Sequence, residues 1–291
     1  LARSEFMDQK LAGGGLTFNM PSFQDLDDDD ENIDTDRAAD RFLLADGTIA
    51  AFGAGNFLDA IPAKMQTGTE VAVRMSRNKS WSTSRLAGQL AGADPMSASG
   101  GRVSNYWVHK LQKAFIATWQ GVSKDNSANY GEDYAYDIAG ASYSAGVTDF
   151  SASAMLDAAL TMGDSQDNLT TIMVHSVVYN RMQKQNLITF VYPSDAKVKI
   201  PTFLNREVIV DDSLPSGTNA VRGDGSAGAA GIYETWLFAG GSAQLGVGSH
   251  SKPTAVQNDE SAGNGGGQET LHSRVQWSIH PVGHAYTGTP A

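Results

Sequence analysis

Six histidines, one acidic run and a few lysines are the residues whose types could carry chemistry, and none stands in a pattern that supports it. His280 and His284 are four apart in HPVGH. That spacing brings two imidazoles to one metal when both sit on a helix, as in HExxH, and a Pro/Gly segment is not that arrangement. No metal ligand is assigned there. His175 follows an apolar run and is read as bonding backbone, while His250 and His272 border loops. Five successive acids, Asp27 to Glu31, offer carboxylate oxygens to a calcium ion, but the alternating ligands and central glycine of an EF-hand are missing. They read as a solvated or partner-facing turn. With no cysteine there is no thiolate metal site, disulfide or sulfur nucleophile. No Gly-Lys dipeptide and no GxSxG elbow occur, which removes the usual P-loop and serine-hydrolase signatures. Arg222-Gly223-Asp224 is read as turn chemistry, and Asn168-Leu169-Thr170 is a glycosylation acceptor only in a secretory chain. No catalytic, cofactor-binding or metal-binding residue is therefore assigned, and the chain is read as non-enzymatic.

The elements that would position chemistry are more informative than the candidates themselves. Asp94 to Gly121 reads as one long helix. Asp94 suits the N-cap, Pro95 the first helical position, and Gly121 a C-terminal stop. Val103, Trp107, Leu111, Phe115, Trp119 and Val122 recur every three or four residues on one face, with Arg102, His109, Lys110 and Lys113 off it. Such a helix is about 40 Å long and needs something packed along it. Both tryptophans are read as core packing rather than base stacking.

Before it, Thr67 to Thr83 alternates as a half-exposed strand, with Val71, Val73 and Met75 pointing one way. Pairing it with ENIDTD would make a two-stranded projection, marginal in water without a neighbour. Leu1 to Asn19 reads as an arm, and Asp36 to Pro62 carries no assignable pattern. After the long helix, Ser151 caps a short helix whose Ala152, Met155, Leu156, Ala159 and Leu160 share a face, with Gly163 as its stop. Leu169 to Val174 reads as a buried strand, followed by a helix capped by Ser176 and carrying Val178 and Met182. Ile200 to Val210, Ile232 to Phe238 and Glu269 to Ile279 are further strands, and Ser213 to Gly231 and Ser249 to Gly267 are exposed loops.

Composition sets outer limits. The chain has 291 residues, 41% hydrophobic and 18% charged, ordinary for a folded protein. Its formal charge of −11 argues against a tight electrostatic grip on nucleic acid. No apolar run approaches a membrane span, and the opening LARSEFMDQK is polar and charged, unlike a signal peptide. A first residue other than Met is compatible with removal of a preceding segment.

The order of these pieces resembles the tailed-bacteriophage major capsid proteins, whose Hong Kong-type fold is shared with encapsulin shells. TGTEVAVRMSRNKSWSTSRLAGQLAGADPM followed by NYWVHKLQKAFIATWQGV is similar to that family's E-loop running into its spine helix. NLTTIMVHSVVYNRMQKQNLI resembles the opening of its axial domain, IPTFLNREVIVDDSLP its hairpin, and ETLHSRVQWSIHPVGHAY its returning strand.

The resemblance implies an α+β capsid fold divided as 1–24 N-terminal arm, 25–82 E-loop, 83–140 peripheral domain with the spine helix, 141–255 axial domain, and 256–291 returning strand and C-terminus. It implies self-assembly through hexamers and pentamers into a shell around double-stranded DNA bound without sequence specificity. Scaffold, portal and decoration proteins are the further partners, with no membrane; an encapsulin-like compartment is the alternative. Ala38 to Pro62 would be an insertion in the E-loop, where contact between subunits is expected. Some relatives weld subunits through a Lys to Asn bond; Lys64 and Lys79 fall in the right region, but no acid is identified for them and a non-covalent shell is expected. Gly100-Gly101 would weaken the start of the spine, at about 1 kcal/mol each relative to Ala.

Overall fold

A 14-residue strand near the C-terminus organises the first of two five-stranded sheets. The computed structural model describes residues 1–24, 65–131, 133–140, 144, 147–191, 200–220, 222, 227–263 and 265–288. The acidic run Asp27 to Glu31, ENIDTD, Lys64 and the stretch Ala38 to Pro62 lie outside the described residues. Two units are distinguished, Leu1–Phe18 with Val71–Ala291, and Asn19–Glu70.

In chain order the elements are β1 (Ala2–Arg3), α1 (Glu5–Ala12), β2 (Thr17–Phe23), β3 (Thr67–Val73), β4 (Met75–Ser84), α2 (Arg85–Ala91), α3 (Pro95–Asn129) and α4 (Ala152–Leu160). There follow β5 (Leu169–Val174), α5 (Ser176–Lys184), β6 (Thr189–Val191), β7 (Ile200–Phe203), β8 (Arg206–Val210), β9 (Trp236–Ala239), β10 (Ala243–Gly248), β11 (Thr254–Asp259) and β12 (Gln268–Pro281). The α+β class expected from the sequence is the one observed.

β12 pairs antiparallel with β4 over Gln268 to Trp277, with β11 over Gln268 to Ser273, and with β10 over Gln276 to Pro281. Because β4 overlaps both of the others, β10 and β11 share the opposite edge. β1 adds to β10 in parallel. Side chains alternate along β12: Ser273, Val275 and Trp277 share the face on which Ser273 and Trp277 meet α3, and Arg274 and Gln276 point to the opposite one.

The first eighteen residues do not stand clear as an arm. Met7 and Leu11 of α1 are 0% and 1% exposed, lying over Gly246 and Gly248 of β10. A Cβ at Gly246 would come within 2.7 Å of Met7 Cβ, so only glycine lets the helix sit this close. Two loops called exposed also carry more structure than expected. β11 lies inside 249–267, and Leu214 and Ala220 inside 213–231 are buried.

The second sheet runs β6-β7-β8-β5-β9. β5 and β8 are parallel, joined by a crossover that contains α5, and β7 turns into β8 through Leu204 and Asn205, both at positive φ (48° and 62°). That matches the mirror-image turn favoured in two-residue hairpins. Period two on β5 splits a continuous apolar run between two layers. Ile172 and Val174 join Met155, Val178, Met182, Phe203 and Val208 in one core, whereas Met173 joins Ile116 and Leu214 in another. The α4 face is narrower than the sequence suggests, since Met155 and Ala159 are buried but Leu156 and Leu160 are exposed.

Caps are placed mostly as expected. Asp94 accepts from the Met96 amide at 2.9 Å and Ser151 from the Ala154 amide at 3.2 Å. For α5 the cap is His175 rather than Ser176: its Nδ1 accepts from the Val177 amide at 3.2 Å, so the reading of His175 as a backbone partner is right.

In the unit Asn19–Glu70, β3 pairs with β2, a partner upstream of the acidic run instead of ENIDTD. The break between β3 and β4 at Arg74 also changes the phase of the alternation. Ala72 is the buried residue there, while Val71 and Val73 are half-buried.

Candidate assembly site

α3 is one layer shared by two sheets, and this arrangement is the centre of the subunit. Its first half lies on β12 and β4. The Trp107 ring is 5.9 Å from that of Trp277 in an edge-to-face contact, and its Nε1 donates to Ser273 Oγ at 2.9 Å. Tyr106 meets Trp81 edge-on at 5.3 Å. The second half lies on the other sheet, where Phe115 and Trp119 contact Phe238 at 5.5 and 5.0 Å and Ile116 is 4% exposed. Aromatic pairs such as Trp107–Trp277 and Tyr106–Trp81, which meet edge to face, contribute about 0.5–1.5 kcal/mol beyond area burial.

The helix spans 35 residues, about 50 Å. It runs past Gly121, which is an exposed interior position, and stops before Gly131, at φ 67°. Contacts on both sides of Gly121, Trp119 with Phe238 and the buried Asn126, hold the helix through it. The tryptophans of the stripe are half-buried, and the most buried apolar residue is Ile116, which the three-and-four spacing leaves off the stripe. Trp107→Phe keeps the ring contacts but orphans the Ser273 hydroxyl. Its expected cost is about 1–2 kcal/mol, read as a shift in urea midpoint with unchanged slope; no shift would show that this bond is not structural.

A second clamp lies at the junction of β3 and β4. The Arg74 amide donates to Leu16 O at 2.8 Å, and its guanidinium donates to Gly13 O at 3.1 Å and to Gln276 Oε1 at 2.9 Å. Nothing in the alternating pattern marked this arginine, because a strand residue off the apolar face reads as merely solvated. At α1, the Val247 amide donates to Asp8 Oδ1 at 2.6 Å and the Arg3 guanidinium to its Oδ2 at 3.0 Å. The backbone bond first, and Arg3 second, hold the carboxyl below its ordinary value of 3.8. Stabilisation from a lowered carboxyl is present above that ordinary value and is lost as pH falls through the lower folded value. Hydrogen-exchange protection of α1 is therefore expected to fall below about pH 4, and Asp8→Asn to remove that pH dependence. Equal protection at neutral and strongly acid pH in the unsubstituted chain would contradict this.

The residues first suspected of chemistry are dispersed. His280 is buried in β12 opposite Gln244. His284 is half-buried beyond that strand's end, with Nδ1 3.1 Å from Val282 O. His272 Nδ1 is 2.8 Å from Ser80 Oγ across the sheet, and His250 Nδ1 accepts from the Lys252 amide at 3.2 Å. Arg222 pairs with Asp137 and bonds Ala139 O, so it is held in a loop contact. Lys79 is exposed on β4 opposite Ser273. Among the described residues no group of three or more His, Asp or Glu could hold a metal, and no helix is long and apolar enough to cross a membrane.

Large apolar side chains instead face outward. α2 has no buried residue, and its Leu86 and Leu90, one turn apart, are 53% and 82% exposed. Leu156, Leu160 and Met162 form a second exposed group at α4. Surfaces of this kind mark protein contacts more often than solvent faces.

Among the described residues, then, a long helix bridges two sheets, large apolar side chains face outward, and no group could hold a metal. The fold is that of phage capsids. It matches the capsid of Ralstonia phage GP4 with TM-score 0.54 at 10% identity, covering 94% of this chain and 81% of that one. It matches the capsid asymmetric unit of cyanophage Pam1 with TM-score 0.50 at 11% identity, covering 94% and 82%. In sequence the chain is 34% identical over 280 residues to the major capsid protein of Bacillus phage SPP1, covering 96% of this chain and 74% of that protein. No family profile matches it. The chain belongs to the tailed-phage major capsid protein family.

Proposed function

We propose that this chain builds the icosahedral head shell of a tailed bacteriophage, packing as hexamers and pentamers around double-stranded DNA whose sequence it does not read. The observation that carries the reading is the 34% identity to a phage major capsid protein along 96% of the chain. The role is structural and not catalytic. A two-stranded sheet such as β2–β3 is marginal alone in water, and a neighbouring subunit covering it would supply the missing packing. The division into E-loop, peripheral domain, axial domain and returning strand belongs to the same proposal, with α1 packed on the first sheet instead of standing out as an arm, as do scaffold, portal and decoration proteins as partners. Assembly in the bacterial cytoplasm and residence in the virion follow from it. Nothing specific favours a protein compartment of the encapsulin kind. The test is the content of particles sedimented from a lysate after nuclease treatment. Protected DNA of genome length supports the head-shell reading, and particles filled with a cargo protein and free of DNA would overturn it.

A further inference from the structure

Helix α5 begins at a histidine nitrogen that can hold only one of two partners. The Val177 amide donates to His175 Nδ1 at 3.2 Å. A backbone N–H can only donate, so this nitrogen carries no proton and the ring is the Nε2–H tautomer. The same Nδ1 lies 3.8 Å from Oδ1 of Asp212, two residues beyond β8. That distance is too long for a hydrogen bond, and an unprotonated nitrogen has nothing to donate across it. The parallel pairing of β5 with β8 brings the two residues together, because each follows the carboxyl end of its strand. The Ser176 hydroxyl and then the Ser176 amide, the latter at 3.2 Å, bond the Asp212 carboxylate and hold it below its ordinary value of 3.8. The His175 side chain is 15% exposed and lies against Tyr233 with ring centroids 4.9 Å apart, whereas the Asp212 side chain is 72% exposed. Charged groups on the flanking segments are bonded to other partners. Asp211 accepts from Gln112 Nε2 and the Ser213 amide, Glu234 accepts from Trp236 Nε1, and Arg181 in the last turn of α5 pairs with Asp149.

We propose that His175 is a pH-sensitive cap that changes partner when it is protonated. Neutral, it accepts from the Val177 amide and fixes the first turn of α5. Protonated, Nδ1 becomes a donor, two N–H groups then face each other, and the ring leaves Val177 for Asp212 Oδ1. A charged N–H···O pair closes to about 2.7–2.9 Å, so the gap has to shrink by about 1 Å, and the exposed carboxylate can make most of that move. A cation at a helix N-terminus is disfavoured by the helix dipole, and the adjacent carboxylate offsets this. The Val177 amide is left to water and the first turn of α5 loosens, while Val178 and Met182 keep their places in the core. Histidine changes charge between about pH 5 and 8, a window above the one in which Asp8 acts. The device is built into the subunit and is independent of what the shell encloses.

The test is hydrogen exchange read by mass spectrometry on the full-length chain between about pH 5 and 8, each rate being corrected for the intrinsic pH dependence of exchange. Protection of the first-turn amides of α5 is expected to fall about fivefold from the alkaline to the acid end, the worth of one N-cap bond. His175→Asn, which caps without titrating in this range, should hold its protection constant. Asp212→Asn keeps an acceptor for the Ser176 amide but removes the charge that receives the ring, and it should move the midpoint of the fall to lower pH. Flat protection in the unsubstituted chain overturns the proposal, whether or not the variants fold. An equal fall in His175→Asn would report general loosening by acid and overturns it as well. A midpoint unmoved in Asp212→Asn would mean that the carboxylate does not take the ring, with the same consequence.

Discussion

Phe203→Ala lowers subunit stability by about 3–5 kcal/mol, most of the margin of a typical domain. Phe203 is 2% exposed at the end of β7, and its ring lies among Met155, Ile172, Val174, Val178, Met182 and Val208. It also meets Phe150 at 6.1 Å. The cavity cannot collapse easily, because the next residues, Leu204 and Asn205, are fixed at positive φ by the hairpin turn. α4, α5 and the sheet all contribute to the same core, so their packing is lost together. Denaturant unfolding of the purified subunit should show the midpoint fall with the slope unchanged. A loss below about 1 kcal/mol would mean that this core is not close-packed.

Gly246→Val expels α1 from the first sheet. The added Cβ would stand 2.7 Å from Met7 Cβ, 3.0 Å from Leu11 Cδ1 and 3.4 Å from the Met7 carbonyl carbon, so the helix backbone itself has to move. Exposing Met7 and Leu11 costs about 1.5–3 kcal/mol each. The Asp8 bond to the Val247 amide and the Ser4 amide bond to Leu245 O at 3.0 Å are lost with them. Limited proteolysis should cut the first twelve residues rapidly in the variant and slowly in the parent. Equal resistance in both would show that α1 is not held by this contact.

These two sites illustrate what the sequence could and could not reveal. β5 was legible to the residue because Leu169 to Val174, LTTIMV, is rich in β-branched and apolar residues and is ended by a histidine that caps the next helix. The start of α3 was legible for the same kind of reason, since Asp94 and Pro95 leave few alternatives to an N-terminus. Its end was not. Gly121 and Gly131 are the same residue type, and only tertiary contacts beyond Gly121 decide which of them stops the helix. β10 was missed because AQLGVG contains two glycines that weaken a strand signal. Those glycines are there for the helix above, and that helix, only eight residues long, gave too little periodicity to be read as anything but an arm. Both errors come from one long-range contact, between residues more than two hundred positions apart. The exposed apolar surface shows the same limit: Leu156 and Leu160 of α4 sit at helical spacing with Met155 and Ala159 and read as core until the fold leaves them uncovered.

α3 is the layer that both sheets share, and the subunit it organises is proposed to build a shell. Electron cryomicroscopy of particles purified from cells making the full-length chain tests it most directly. Closed icosahedral shells are expected, in which every subunit shows a continuous helix of about 50 Å between two sheets. Particles whose subunits lack that bridging helix, or a chain that remains a soluble monomer with its leucine-bearing faces uncovered, would contradict it.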